Sequence, residues 1–347
     1  MFGKKLIFSS LSMFVGLSLS GLSFNSPAFA GNLHQEHAYG AGNVTTYSLG
    51  DSRVESIAMW RVPEGKQKAI VLSLHGFGLH KCVYQALAEK LQAVGVATYA
   101  MDIRGFGSWS QEAGGAAAFS PEKTLADVKS ALTALREENP DTPVFLLGES
   151  LGGALALKAA AENPSLVDGV IASVPAADRY KAKRVAFGLA LKNLLGAGGH
   201  VNIGKGLISQ ATHDPSLKSA WQNDPSARLK VSTRELLTFS RFMHHNHQVA
   251  GQIKTTAVLI LQGANDRLVK ASGTARLFNE LGTTDKDYLL VDNSEHLILE
   301  EGQFTASTFK HIDSWLAVHE DMKVASRHTI PTKPAFVDLD NAVLAVR

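Results

Sequence analysis

Ser150, Asp266 and His296 have the residue types and the chain order that catalysis by an activated hydroxyl requires. A serine is a weak nucleophile until a base takes its proton, and the base needs an acid to hold its tautomer. Ser150 lies in Gly148-Glu149-Ser150-Leu151-Gly152. At ordinary Gly and Ser frequencies the bare Gly-x-Ser-x-Gly skeleton arises by chance in about one chain in ten of this length. Its setting is what carries information. The apolar run Val144–Leu147 leads into it, and the Ala- and Leu-rich stretch Leu151–Glu162 leads out, ending at Asn163-Pro164. Such a strand-to-helix turn strains the backbone at the serine and needs small neighbours so that strand and helix can approach. The hydroxyl then projects at the positive end of a helix.

The partners follow in the order serine, acid, histidine. Val258–Gln262 is a buried-strand run that ends in Gly263-Ala264-Asn265-Asp266-Arg267-Leu268-Val269, which places Asp266 just beyond it. Tyr288–Val291 ends in Asp292-Asn293-Ser294-Glu295-His296. Asp266 is read as the acid, with Asp292, on the histidine's own loop, as its rival. The oxyanion needs two backbone N–H donors. Leu151, next after the serine, supplies one in this reading; Phe77, flanked by glycines in His75-Gly76-Phe77-Gly78, supplies the other.

Other groups are assigned to structure. His244, His245 and His247 have no Cys or carboxylate beside them in the chain, so they are read as a solvated helix and no metal is expected. Cys82 is the single cysteine, which excludes an intramolecular disulfide. It precedes an apolar-periodic stretch (Val83, Leu87, Leu91, Val94) and is read as a buried or half-buried thiol. Asp102 and Arg104 are read as a structural pair shaping a loop near the site. A formal charge of +2 without a Lys/Arg block gives no reason to expect a nucleic-acid partner.

The elements that must position these groups alternate. Strands are expected over Asn43–Leu49 and Val54–Arg61, joined by the turn Gly50-Asp51-Ser52, then over Ala69–Leu74, Val96–Met101, Val144–Leu147 and Gly169–Ser173. Helices are expected over Lys81–Val94, over Glu122–Glu138 with Pro121 in its first turn and Ser120 as N-cap, and over Leu151–Glu162. After residue 252 the rhythm resumes with strands Ala257–Gln262 and Tyr288–Val291 and helices near Ser272–Leu281 and Phe304–Val318. Short apolar strands alternating with amphipathic helices specify a mostly parallel central sheet with helices on both faces. Between about residues 176 and 252 no buried-strand run occurs, so this segment is read as a helical cap inserted between two strands. Its apolar stretch Val185–Leu195 offers Phe187 and Leu191 to an acyl pocket or to transient contact with a membrane surface; packing onto the main domain is an equal alternative. The hydrolase core thus comprises residues 31–175 and 253–325, and residues 326–347 form a tail.

Residues 1–30 read as a secretory leader: Lys4-Lys5, an apolar stretch Leu6–Phe24, and Pro27-Ala28-Phe29-Ala30 as the cleavage signal. Export to a periplasmic or extracellular compartment is expected, with a mature N-terminus at Gly31 as its measurable consequence.

Taken together, His75-Gly76-Phe77-Gly78, Asp102-Ile103-Arg104-Gly105-Phe106-Gly107-Ser108, Gly148-Glu149-Ser150-Leu151-Gly152-Gly153, Asn265-Asp266-Arg267-Leu268-Val269 and Glu295-His296 resemble the monoacylglycerol lipase/lysophospholipase-like α/β hydrolases of the serine aminopeptidase S33 type. The resemblance covers roughly residues 55–320. Phe106 departs from the family's frequent Arg-Gly-His-Gly, and Glu149 stands where His is common. The resemblance implies an α/β-hydrolase fold, a cofactor-free enzyme, and hydrolysis of small-molecule or lipid esters of single acyl chains through an acyl-enzyme on Ser150. Thioesters, amides or peptides, and haloperoxidase-like chemistry use the same machinery, and a non-catalytic binding protein of this fold is the remaining alternative.

Overall fold

In the computed structural model, residues 45–47, 57–63, 65–112, 118–180, 199–300 and 303–328 are described. Residues 1–30, read above as a leader, the expected turn Gly50-Asp51-Ser52, the stretch holding Phe187 and Leu191, and residues 329–347 lie outside them. The central sheet has eight strands in the order β1-β2-β4-β3-β5-β6-β9-β10. They are β1 (Thr45–Tyr47), β2 (Ile57–Trp60), β3 (Ala69–Leu74), β4 (Val96–Met101), β5 (Val144–Glu149), β6 (Gly169–Ser173), β9 (Ala257–Gly263) and β10 (Lys286–Val291). The strands from β4 to β10 in that order pair parallel, and β2 runs antiparallel to both β1 and β4.

Side chains of the central strands alternate between two apolar layers, as the two-residue period of a strand demands. Ile70, Leu72 and Leu74 of β3, with Val144 and Leu146 of β5, enter one layer. Helices α3 (Pro121–Glu138) and α4 (Leu151–Glu162) close it, through Val128, Leu132, Leu151 and Leu155. Ala69, Val71, Phe145 and Leu147 enter the other, which is closed by α1 (Gln85–Ala93) and α10 (Ala306–His328) through Leu87, Leu91, Ile312 and Trp315. Both faces are therefore covered, and this explains the uninterrupted apolar runs. Ser120 caps α3 by accepting from the Lys123 N–H at 3.3 Å, with Pro121 in the first turn.

Three differences from the sequence reading have physical causes. The expected helix over 81–94 begins as a 3-10 turn, Lys81–Tyr84, because His80 caps it by accepting from Cys82 N at 3.3 Å. The last helix runs to His328, into the stretch read as tail. Within 176–252, two three-residue strands, β7 (His200–Asn202) and β8 (Lys230–Ser232), pair antiparallel. They are too short and too exposed to leave an apolar run. The same segment carries α5 (Gly204–Ala211), α6 (Pro215–Asn223), α7 (Thr233–His244) and α8 (Asn246–Ala250). A further helix, α9 (Ala271–Glu280), follows β9.

Arg104 does not pair with Asp102. Phe106 N donates to Ile103 O at 2.8 Å, and the chain turns there. Arg104 goes to Asp127, with Nη2 2.8 Å from Oδ1, and lies over the Trp109 ring. Asp102 instead accepts from the Lys81 ammonium at 3.0 Å and from Ser108 Oγ at 2.7 Å. The closeness of the elbow can be read from its glycines. A Cβ on Gly152 would stand 1.8 Å from Leu74 O, and one on Gly148 would stand 2.3 Å from Gly152 C. We therefore predict that Gly152→Ala destabilises the protein by about 4 kcal/mol or abolishes its accumulation, since a backbone carbonyl cannot yield as a side chain can. Urea unfolding is the measurement; a loss under about 1 kcal/mol would contradict this packing.

Candidate active site

Five loops leave the carboxyl ends of the parallel strands β3, β5, β6, β9 and β10, where open α/β sheets hold their sites. Ser150 follows β5 with φ 55° and ψ −112°, a left-handed conformation costly for a residue with a Cβ. Its own backbone holds it there: Ser150 N donates to Ser173 O at 2.9 Å, and Ser150 O accepts from Ala154 N at 3.1 Å and Ala176 N at 2.9 Å.

The structure brings the three sequence-selected side chains together. His296 Nε2 lies 3.0 Å from Ser150 Oγ. His296 Nδ1 lies 2.8 Å from Asp266 Oδ2. Asp266 Oδ1 accepts from the backbone N–H of Leu268 at 2.7 Å and of Val269 at 3.0 Å, so this carboxylate is held in place from behind. All three residues are buried. Burial alone would push the Asp266 carboxyl up, but the adjacent His296 and the two backbone donors outweigh it and hold the carboxyl below its usual range. An ionised acid on Nδ1 fixes the ring proton there and leaves Nε2 to accept from the serine hydroxyl. Asp292, the rival acid, is exposed.

The two expected oxyanion donors stand beside the serine. Leu151 opens α4, where an N–H has no acceptor within the helix. A Cβ on Gly76 would lie at contact distance, 3.9 Å, from Ser150 Cβ, and Phe77 lines the same cavity as Ser150. The Phe77 ring stacks on Phe239 at 4.6 Å and meets Phe106 edge-on at 4.9 Å. Phe106, where the family often carries His, is thus a fully buried member of an aromatic cluster. His75 is buried and neutral. Burial lowers its pKa to about 4, with Nδ1 2.7 Å from Gly76 O and Nε2 accepting from Ile103 N at 3.0 Å.

Residues 199–252 roof these groups. Leu207, Ile208 and Ala211 of α5, Trp221 of α6, Leu229, and Phe239 of α7 line an apolar cavity whose wall also holds Ser150, Phe77 and His296. A mostly apolar lining with a few convergent polar groups is ordinary for a small-molecule site. The roof is fastened by polar links: Arg228 N to Gly78 O at 2.9 Å, His80 Nε2 to Asp224 Oδ2 at 2.7 Å, and Phe119 N to Glu235 Oε1 at 2.7 Å. Among the described residues, no group of three or more His, Cys, Asp or Glu is placed to hold a metal, and no helix is long and apolar enough to cross a membrane. His247 does meet carboxylates, Asp178 and Glu280, brought in from other elements, but Arg276 occupies the same cluster. The half-buried Cys82 packs against Ala58, Trp60, Ala88 and Ala100.

Glu149 is the group whose role the sequence reading missed. Its Oε1 accepts from Ser173 Oγ at 2.7 Å and from the backbone N–H of Ile298 at 2.6 Å and Leu299 at 3.1 Å, tying the elbow to the loop that carries His296. Its other oxygen, Oε2, and Glu300 Oε1 are buried without a hydrogen-bond partner. In the sequence Glu149 is marked only by its place between Gly148 and Ser150.

The model of the serine aminopeptidase S33 family matches residues 65–303. The rat monoglyceride lipase is 28% identical over 280 residues, spanning 78% of this chain and 89% of the relative. Phospholipase YtpA of Bacillus subtilis is 26% identical, spanning 70% and 93%. The crystal structure of Paleococcus ferrophilus monoacylglycerol lipase superposes with a TM-score of 0.64 at 28% identity, over 76% of this chain and 98% of that one.

Burial pushes the Glu149 carboxyl up to about 7, despite the hydrogen bonds from Ser173, Ile298 and Leu299. A folded-state pKa above the unfolded value means that the folded protein binds the extra proton, so stability falls as pH rises from about 4.5 to about 7. Glu149→Gln keeps an acceptor for Ile298 and Leu299 but cannot ionise. We predict that it removes on the order of 3 kcal/mol of the stability lost between pH 5 and pH 8. Urea unfolding of both proteins at the two pH values is the check, and parallel pH slopes would refute it.

Proposed function

The chain belongs to the serine aminopeptidase S33 family and is a serine ester hydrolase, and on that premise we propose that it cleaves carboxylic esters of single acyl chains through an acyl-enzyme on Ser150. The observation that carries the proposal is an apolar cavity with Ser150 and His296 in its wall and Asp266 behind them. Ser150 Oγ attacks the ester carbonyl carbon while His296 Nε2 takes its proton. Asp266 holds the ring and stabilises the imidazolium as it forms. The tetrahedral oxyanion accepts from the N–H groups of Phe77 and Leu151. His296 then returns the proton to the departing alkoxide, and the alcohol leaves. A water deprotonated by His296 attacks the acyl-enzyme, and collapse releases the acid and restores Ser150.

The monoacyl substrate class is supported by the names of the relatives, monoglyceride lipases and a phospholipase, and by the lining of the cavity. Phe187 and Leu191 lie outside the described residues; within those, Leu207, Ile208, Trp221 and Leu229 line the cavity and are the side chains offered to the acyl chain. Burying a methylene is worth about 0.8 kcal/mol. Two added methylenes should therefore raise kcat/KM about tenfold until the cavity is full. We expect kcat/KM for p-nitrophenyl esters to climb from acetyl to medium chains, and Trp221→Ala to flatten the climb. An acetyl optimum in the parent protein would sink the monoacyl reading, and faster cleavage of matched thioesters or anilides would replace the ester.

A further inference from the structure

Among the described residues of the cavity wall, Arg179 is the one, apart from Ser150 and His296, that can carry charge. It follows β6 by six residues. Its backbone is fixed by a bridge to Val269, next to the loop that holds Asp266. Its guanidinium carbon lies 5.8 Å from the centroid of the Phe239 ring. Among the described residues the side chain makes no hydrogen bond and no ion pair. A guanidinium has five N–H donors and does not give up its proton, so a half-buried one without an acceptor is costly. Burial pulls its pKa below the usual value, with only Asp266 opposing.

The surrounding carboxylates are committed elsewhere. Asp178, the preceding residue, pairs with Arg276 at 3.1 Å and His247 at 3.2 Å. Asp266 holds His296 at 2.8 Å. Glu295 pairs with His213 and Arg267. Asp224 pairs with His80 and Glu235 with Arg228. The sequence adds an independent fact: the chain from Tyr180 to Gly199 contains Lys181, Lys183, Arg184 and Lys192 and no Asp or Glu. The stretch that follows Arg179 in the chain therefore supplies no acid that could neutralise it.

We propose that Arg179 binds an oxyanion carried by the substrate, so that the preferred substrates are anionic monoacyl esters. This rests on the ester-hydrolase reading above and narrows it. The oxyanion is either a phosphate on the alcohol side, as in a lysophospholipid, or a carboxylate at the far end of the acyl chain. Planar, two-pronged recognition of either group is what an arginine offers and a lysine does not.

Two matched pairs distinguish the sources: 1-decanoylglycerol 3-phosphate against 1-decanoylglycerol, and mono-p-nitrophenyl adipate against p-nitrophenyl hexanoate. We expect the parent protein to favour the anionic member of one pair by about tenfold or more in kcat/KM. The pair that responds identifies the side on which the anion sits. Arg179→Gln should bring that ratio to one or below, and Arg179→Lys should keep part of it. A second measurement needs neither turnover nor a variant. Decyl phosphate should protect the parent protein from fluorophosphonate labelling at about one tenth the concentration required of 1-O-decylglycerol. Ratios near one in both pairs, together with equal protection, overturn the assignment. If Arg179→Gln fails to fold, the parent protein's own ratios and protection decide. Strong phosphate protection without hydrolysis of any ester would sink the esterase reading and leave Arg179 as an anion site; hydrolysis with equal protection would do the reverse.

Discussion

The approach of α4 to β3 and β5 fixes the geometry of everything above the sheet. Gly148 and Gly152 let the two backbones meet at a distance no side chain could share. That closeness forces the chain to reverse in a single residue, and Ser150 takes the left-handed conformation as a result. The three non-glycine residues with positive φ among the described residues are Ser150, Val174 and Asn293. They stand just beyond β5, β6 and β10, so the strain collects at one edge of the sheet. Such strain persists only where the surroundings over-determine it. Here the parallel ladder and two apolar layers beneath supply that constraint.

From this edge the groups that bear on chemistry are held through backbone groups as well as by one another. Asp266 is fixed by two N–H groups of its own loop, and the loop of His296 is tied down through Ile298 and Leu299 to Glu149. Glu149 adjoins Ser150 in the chain, so the proposed nucleophile and the proposed base are referenced to the same turn. The cost is a buried carboxyl near a second one, Glu300, whose pKa burial and Glu149 together hold well above its ordinary value. The roof contributes apolar wall, and the chain after β6 contributes Arg179, the charge proposed to hold an oxyanion of the substrate.

The sequence made the core legible because a strand buried on both faces leaves a run that only a handful of residue types can fill. Val144–Leu147, Gly169–Ser173 and Ala257–Gln262 all lie within observed strands, and the turn at Ser150 is where its glycines place it. Chain order alone put Asp266 and His296 on loops at the same sheet edge, and the structure sets them 2.8 Å apart. What stayed hidden depends on long-range partners. Asp102 and Arg104 are adjacent in the sequence pattern but turn to Lys81 and Asp127, residues more than twenty positions away. Strands β7 and β8 are half exposed and leave no hydrophobic period. Arg179 carries no local signal, because what marks it is the prior engagement of every neighbouring acid.

The central claim is that Asp266 holds His296 against Ser150 for nucleophilic attack on an ester. Steady-state kcat on p-nitrophenyl butyrate for Asp266→Asn and Asp292→Asn tests it most directly. The account predicts a fall of about 10⁴-fold for Asp266→Asn, the cost of the wrong histidine tautomer in a serine protease, with an unchanged fold. Asp292→Asn should stay within about twofold, as an exposed side chain away from the relay should. A large loss from Asp292→Asn alongside near-normal turnover by Asp266→Asn would contradict it.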